Sequence, residues 1–316
     1  MQKKYAMRKV IIAILMILSS AAVSQAQQYT DLQLRLSDYV SRQDARIGVA
    51  VIIDGKDTID VNGRRDFPML SVYKFPQAIA VADYCRRLGI QTGDSLAISA
   101  EEMHANTYSP MYAKYSKNSL RLPVRELLAY SLQQSDNNAC DILFRLIGGP
   151  AKVASLMKSM GYDEVIVANT ENEMHRNPYL CYQNRSTPLA MAGLLEQFNT
   201  VLRADCPQMQ EVATLMENCT TGANRLAAPL TDTGVVIGHK TGTADRNSQG
   251  RLVAINDVGY VNLPDGRRYS IAVFVADSAY DMASTESIIA TVSRMVYKAL
   301  TAETTGNAVH SSVTAP

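Results

Sequence analysis

Two sets of β-branched runs, one near each end of the chain and separated by a long stretch of helical spacing, constrain the fold most. Ile47 to Ile53 is such a run, Asp54-Gly55 breaks it, and Thr58 to Val61 resumes an extended pattern, which is the signature of a hairpin. Val235 to Gly238, Leu252 to Asn262 and Tyr269 to Val275 form the second set, with Pro264-Asp265-Gly266 as the turn between the last two. Between the sets, Val124 to Ser131, Ala139 to Ile147, Ala151 to Met160 and Pro188 to about Leu202 read as helices, with Gly148-Gly149-Pro150 and Gly161 as stops. A short helix over 31–42 precedes the hairpin, and a final helix runs from about Ser284 to Leu300. The economical solution is one antiparallel sheet assembled from both chain ends with a helical domain inserted between them, an α+β architecture. The expected division is 27–66 plus 225–300 for the sheet domain and 67–224 for the helical one, with a cleft between the two lobes.

The first 26 residues are of another kind. Lys3, Lys4, Arg8 and Lys9 precede an apolar run from Val10 to Leu18, followed by small residues and Ser24-Gln25-Ala26. That run is short for a bilayer span and has the form of a cleavable export signal, which predicts a periplasmic mature protein cut after Ala26, without a membrane anchor. Its removal takes away four basic and no acidic groups, so the net charge moves from +1 to −3. A weakly acidic chain argues against nucleic acid as a partner. Apolar residues make up 47% of the whole, enough for a large core, and the Thr/Ser/Ala-rich tail 301–316 is expected to be disordered. The five cysteines, Cys85, Cys140, Cys181, Cys206 and Cys219, show no zinc spacing. Their odd count leaves at least one free thiol, and Cys85 and Cys140 fall in helix-like segments where they act as small buried hydrophobes.

Chemistry-bearing residues stand at the seams of this plan. Ser71-Val72-Tyr73-Lys74 heads an apolar helix that runs to about Leu88, where Gly89 stops it. Three residues apart on a helix, the lysine amine can reach the serine oxygen, and a serine near the helix start keeps an unpaired backbone N–H. Ser-x-x-Lys alone is expected about once by chance in a chain of this length, and a capping serine beside a solvated lysine explains it equally well. Ser135-Asp136-Asn137 then falls in a break between two helices, and Lys240-Thr241-Gly242-Thr243 ends the strand that begins at Val235. The polar stretch 169–187, long for a loop, carries Glu171-Asn172-Glu173-Met174-His175.

In this order and setting, the three signatures resemble those of class A serine β-lactamases and their penicillin-binding relatives, over about residues 30 to 300. Glu171-x-x-Met174-His175 resembles the Bacteroides-type cephalosporinase subgroup, which tends to carry Met-His where most other class A relatives have Leu-Asn. The resemblance implies a five-stranded antiparallel sheet with flanking helices plus an all-α domain, no metal or organic cofactor, and a monomer acting on a small β-lactam. It implies Ser71 as nucleophile, with Lys74 or Glu171 through a water as the proton acceptor. Backbone N–H groups of Ser71 and Thr243 would form the oxyanion hole, and Ser135 would relay a proton to the lactam nitrogen. Asn137 would bind both lysine and substrate amide, Asp136 would tie its own loop, and Glu171 would activate the deacylating water, with Glu173 merely solvated. Lys240, Thr241, Thr243 and Arg225 would receive the substrate carboxylate, and Tyr108 would form an aromatic wall. Two other readings share the scaffold: a D-Ala-D-Ala peptidase, which should lack the deacylating glutamate, and a catalytically inactive binding protein.

Overall fold

The computed structural model describes residues 25–302 and divides them into two compact units. The first holds the helix over 25–41 (α1) and the last turns of the C-terminal helix, with Gln28 Nε2 donating to the Ala299 carbonyl at 2.6 Å. The second, Gln43–Arg294, carries the sheet and every residue of interest here. The leader pattern before residue 25 and nearly all of the tail lie outside the described residues.

The expected hairpin is β1 (Arg46–Ile53) and β2 (Asp57–Val61). The second set of runs becomes β7 (Val236–Thr243), β8 (Leu252–Asn262) and β9 (Arg268–Ser278). Together they form one antiparallel sheet in the order β2-β1-β9-β8-β7. The chain ends meet where Arg46 pairs with Ala276 and Ile53 with Tyr269. Strands β8 and β9 are buried along nearly their whole length, as the absence of polar alternation in Val253–Val258 and Ile271–Val275 requires. A turn at Leu263–Gly266 joins them, closed by the Gly266 N–H on the Leu263 carbonyl, with Gly266 at φ +88° where a side chain would be strained.

The inserted segment is mostly helical. Its helices are α2 (Lys74–Leu88), α3 (Pro110–Tyr115), α4 (Val124–Gln133), α5 (Asn137–Ile147), α6 (Pro150–Ser159), α7 (Glu171–Arg176), α8 (Pro188–Gln197) and α9 (Pro207–Glu217). The last helix is α10 (Met282–Thr301). Gly89 and Gly148 end α2 and α5 in the left-handed conformation, as read from sequence. Helix α8 lies against β1 and β9. Two small ladders were not anticipated: β3 (Phe67–Pro68) with β6 (Arg185–Ser186), and β4 (Ser95–Ile98) with β5 (Leu120–Pro123). They are too short to carry an alternating pattern.

The stretch 169–187 is not irregular, contrary to the sequence reading. It holds α7 and a 3₁₀ turn at Pro178–Tyr182. Thr170 and Glu173 close a capping box on α7, the Thr170 hydroxyl accepting from the Glu173 N–H and the Glu173 carboxylate from the Thr170 N–H at 2.8 Å. A polar surface does not preclude a helix when its first turn is satisfied this way. The neck of the stretch is clamped by fully buried Asn184, which accepts from the N–H groups of Ala168 and Asn169 and donates to the Asn169 carbonyl at 2.9 Å.

Candidate active site

Ser71 sits in a 3₁₀ turn, Leu70–Tyr73, that runs directly into α2. The residue before it, Leu70, is held at φ +49°, a left-handed conformation that costs a leucine on the order of 1 kcal/mol or more. The turn is fixed from the sheet: buried Asn256 on β8 donates to the carbonyls of Pro68 at 2.8 Å and Met69 at 3.1 Å. Strand β7 then passes so close that a Cβ on Gly242 would lie 2.4 Å from the Met69 carbonyl oxygen and 3.3 Å from the Ser71 nitrogen. Only glycine lets the end of β7 approach the Ser71 turn this way.

Lys74, the first residue of α2, is fully buried beneath the turn. Its Nζ lies 2.7 Å from Asn137 Oδ1, 2.8 Å from the Ser135 carbonyl and 3.0 Å from Glu171 Oε1. Burial opposes its charge, but the Glu171 carboxylate, together with Cys140 and Asp136, outweighs that and raises Lys74 above the ordinary lysine value. Ser135 occupies the break between α4 and α5 at φ +60°, another strained position beside the cleft. Its hydroxyl accepts from Lys240 Nζ at 3.0 Å. Lys240 is buried, and that burial together with the Lys74 charge brings it down to about 7.

Asp136, between them, is buried and caps α5 through the Ala139 N–H at 2.8 Å. It also accepts from the Met111 N–H and the Ser109 hydroxyl, so it ties its loop to the start of α3, a reach beyond the internal tie expected from sequence. Asn137 binds Lys74 through its oxygen, while its Nδ2 donates to the Thr107 hydroxyl at 2.9 Å.

Glu171 stands at the first position of α7, and its carboxylate reaches the cleft and Lys74. Its placement depends on a residue the sequence reading missed. Asp141 on α5 accepts from the Glu171 and Asn172 N–H groups, both at 2.8 Å, using one oxygen for each. Burial raises Asp141 to about 7 against those two hydrogen bonds. An aspartate one turn into an apolar helix gives no sequence signal of such a role. His175 Nε2 lies 2.8 Å from Asn106 Nδ2, which ties α7 to the segment before α3.

Arg225 differs from its expected setting. It is 4% exposed and its guanidinium is already engaged: Nε with Glu286 at 3.0 Å, NH1 with the Gly242 and Asn256 carbonyls, and NH2 with the Thr243 hydroxyl at 2.8 Å. It braces the end of β7 and orients Thr243, with its charge partly offset by Glu286. The Thr241 hydroxyl shares a 2.6 Å hydrogen bond with that of Thr221. Tyr108 is 59% exposed, at the cleft and not in the core. Ser71, Tyr108, Ser135, Asn137, Glu171, Arg225, Thr241 and Thr243 line one cleft of about 490 Å³, with Lys74 and Lys240 buried next to it.

Comparison with known proteins follows the same outline. Residues 31–300 match the model of the β-lactamase enzyme family. The chain belongs to that family. A β-lactamase of Bacteroides uniformis is 38% identical over 296 residues, spanning 93% of this chain and all of the relative. The extended-spectrum β-lactamase PER-1 of Pseudomonas aeruginosa is 33% identical over 90% of this chain and 92% of its own. Among solved structures, a class A β-lactamase from Bacteroides cellulosilyticus superposes with a TM-score of 0.83 at 33% identity, covering 87% of this chain and 99% of that one. The molecule is a class A serine β-lactamase, with the five-stranded antiparallel sheet and flanking helices of that fold.

Proposed function

We propose that this β-lactamase opens its substrate through an acyl-enzyme on Ser71 and clears it with a water activated by Glu171, with cephalosporins preferred. The observation that carries the reading is the contact of Glu171 Oε1 with Lys74 Nζ at 3.0 Å, within the cleft that Ser71 borders. Lys74, raised by Glu171, stays an ammonium at neutral pH. That favours Glu171, acting through a water, as the acceptor of the Ser71 proton. Ser71 Oγ then bonds the lactam carbonyl carbon, and the oxyanion is met by the backbone N–H groups of Ser71 and Thr243. Lys240, near neutrality and 3.0 Å from the Ser135 hydroxyl, resupplies the proton that Ser135 hands to the departing nitrogen as the C–N bond breaks. Lys240 is then reprotonated at the expense of the proton held at Glu171, and the freed carboxylate takes a proton from the water whose oxygen bonds the ester carbonyl carbon, passing that proton to Ser71 Oγ as the ester C–O bond breaks.

On the binding side, Lys240, Thr241 and Thr243 receive the carboxylate, Arg225 acts by holding Thr243, and Asn137 and Tyr108 receive the amide side chain. The cephalosporin preference rests on the Glu-x-x-Met-His pattern alone. Export to the periplasm as a monomer, and a sheet domain of 27–66 plus 225–300 around a helical domain of 67–224, complete the proposal. A peptidase reading is disfavoured because a carboxylate stands where deacylation needs one. Steady-state assays with cephaloridine and benzylpenicillin test it. Sustained turnover is expected, with kcat/KM higher for the cephalosporin, and Ser71→Ala should lose it by about a thousandfold or more. Undiminished turnover in Ser71→Ala would overturn the assignment of the nucleophile.

A further inference from the structure

Alongside β7 lies a second set of reactive groups that the hydrolytic chemistry does not use. His239, adjacent to Lys240 in sequence, is buried, and its Nδ1 lies 3.0 Å and 3.1 Å from the two carboxylate oxygens of fully buried Asp257 on β8. Cys219, in the connection after α9 and two residues before Thr221, comes beside His239, two residues before Thr241 on β7, where the two threonine hydroxyls lie 2.6 Å apart, close enough for the imidazole to act on the thiol. The result is a cysteine, an imidazole and a carboxylate in series, an arrangement that can maintain a thiolate. Cys219 is half-buried, and its neighbours Asn218 and Thr220 are exposed, so small reagents have access.

The same connection is tied to the cleft. Cys219 Sγ lies 3.4 Å from the Thr221 hydroxyl, which in turn shares its 2.6 Å hydrogen bond with Thr241. Thr220 is anchored to the Gln133 carbonyl at the end of α4, two residues before Ser135. The packing is close: a Cβ on Gly222 would fall 2.5 Å from the Thr241 side chain. A group added at Cys219 therefore has little room unless this segment shifts.

We propose that Cys219 is a modification site: with His239 and Asp257 behind it, it undergoes exchange with small disulfides, and the mixed disulfide disturbs the Thr221–Thr241 hydrogen bond beside the cleft. The second half rests on the reading of Thr241 as a carboxylate-binding residue. In the exchange, the Cys219 thiolate attacks one sulfur of the disulfide. The S–S bond breaks, and the second half leaves as a thiolate that takes up a solvent proton. Cys219 is oxidised, the reagent disulfide is reduced, and a thiol reductant reverses the step.

The charged groups around the thiol are His239 and Lys240 from β7, with Asp257 behind from β8. Burial alone would push the Cys219 thiol up, but the His239 hydrogen bond and charge, with that of Lys240, bring it down to about 7. The other thiols contrast with it. Burial raises Cys85 and Cys181 to about 11 and Cys140 well above the ordinary value. Cys181 matters most as a control because it borders the cleft directly.

The test is incubation of the full chain with bis(2-hydroxyethyl) disulfide across pH, read by peptide mass mapping and by steady-state kinetics. A single adduct on Cys219 is expected, with a labelling rate half-maximal near pH 7. KM for a carboxylate-bearing cephalosporin should rise about fivefold with a smaller change in kcat, and reductant should restore it. Cys219→Ser should turn over like the parent and be unaffected by the reagent. His239→Asn should move the labelling profile up to that of an ordinary thiol. If that variant does not fold, the parent profile and Cys219→Ser decide the matter. Labelling at Cys181 instead, or a Cys219 profile of an ordinary thiol, overturns the reactive site. An adduct on Cys219 that leaves KM unchanged overturns the link to the cleft. A parent without turnover would instead sink the hydrolytic reading, and the labelling data would stand.

Discussion

At Lys240 the proposed function gives a single side chain two tasks that depend on its proton. It faces the Ser135 hydroxyl, and burial beside the Lys74 charge holds it at about 7, so it is near half-protonated at neutral pH. The cation is the form that attracts a carboxylate and can supply a proton, and kcat/KM reports the free enzyme. Thus kcat/KM for a carboxylate-bearing substrate should fall as pH rises through about 7, approaching roughly one decade per pH unit. Lys240→Arg, which keeps its charge throughout, should move that fall out of the accessible range at a lower maximal rate. A pH–rate series on both proteins checks this, and a flat parent profile would show that Lys240 stays charged. Sequence reasoning located Lys240, Ser135, Lys74 and Glu171 because fixed spacing between loop and strand is written in the chain. Asp141, Asn184 and Thr107 were not legible, since their partners are backbone groups or side chains distant in sequence.

Among the elements, β7 is the one whose exact path matters most. Its residue pattern was readable, and so was the turn and strand pair that follow it. Its contact with the Ser71 turn was not, because close approach of two backbones leaves only a glycine as its mark. Gly242→Ala would place a methyl 2.4 Å from the Met69 carbonyl oxygen, and the backbone must yield. Both partners are fixed, the turn by Asn256 and the strand by Arg225, so the displacement separates Ser71 from the Thr243 N–H. We expect stability to fall by about 1–3 kcal/mol and kcat by about a hundredfold or more. Thermal denaturation with single-turnover kinetics reads both quantities. Loss of stability with unaltered kcat would separate the close approach from catalysis. The α7 segment teaches the complementary lesson: its capping box, Thr170-x-x-Glu173, was present in the sequence but masked by the polarity around it.

For the whole molecule, the fold class was legible because strands at both chain ends must find each other, and the β1–β9 pairing is how they do. Sequence does not disclose how the buried charges behind that sheet balance. Asp257 raises His239 to about 10 despite burial, and a group raised on folding contributes stability that is lost as pH rises from its unfolded value towards 10. Lys240 and Cys219, both lowered to about 7, act in the opposite direction, since the unfolded chain binds more protons above that pH. The denaturant midpoint should therefore rise between about pH 7 and pH 9, by about one proton's worth, and in Lys240→Met, where His239 and Cys219 offset one another, it should vary little over the same window. Urea titrations at several pH values check this, and a parent midpoint that falls with rising pH would contradict the balance.

The most direct test of the account is rapid mixing of nitrocefin with the parent and with Glu171→Ala. The account predicts sustained turnover for the parent and, for the variant, a slower first turnover that stalls after about one equivalent, with the acyl group found on Ser71 by mass. Sustained turnover in Glu171→Ala, or a parent that itself stalls after one equivalent, would contradict it.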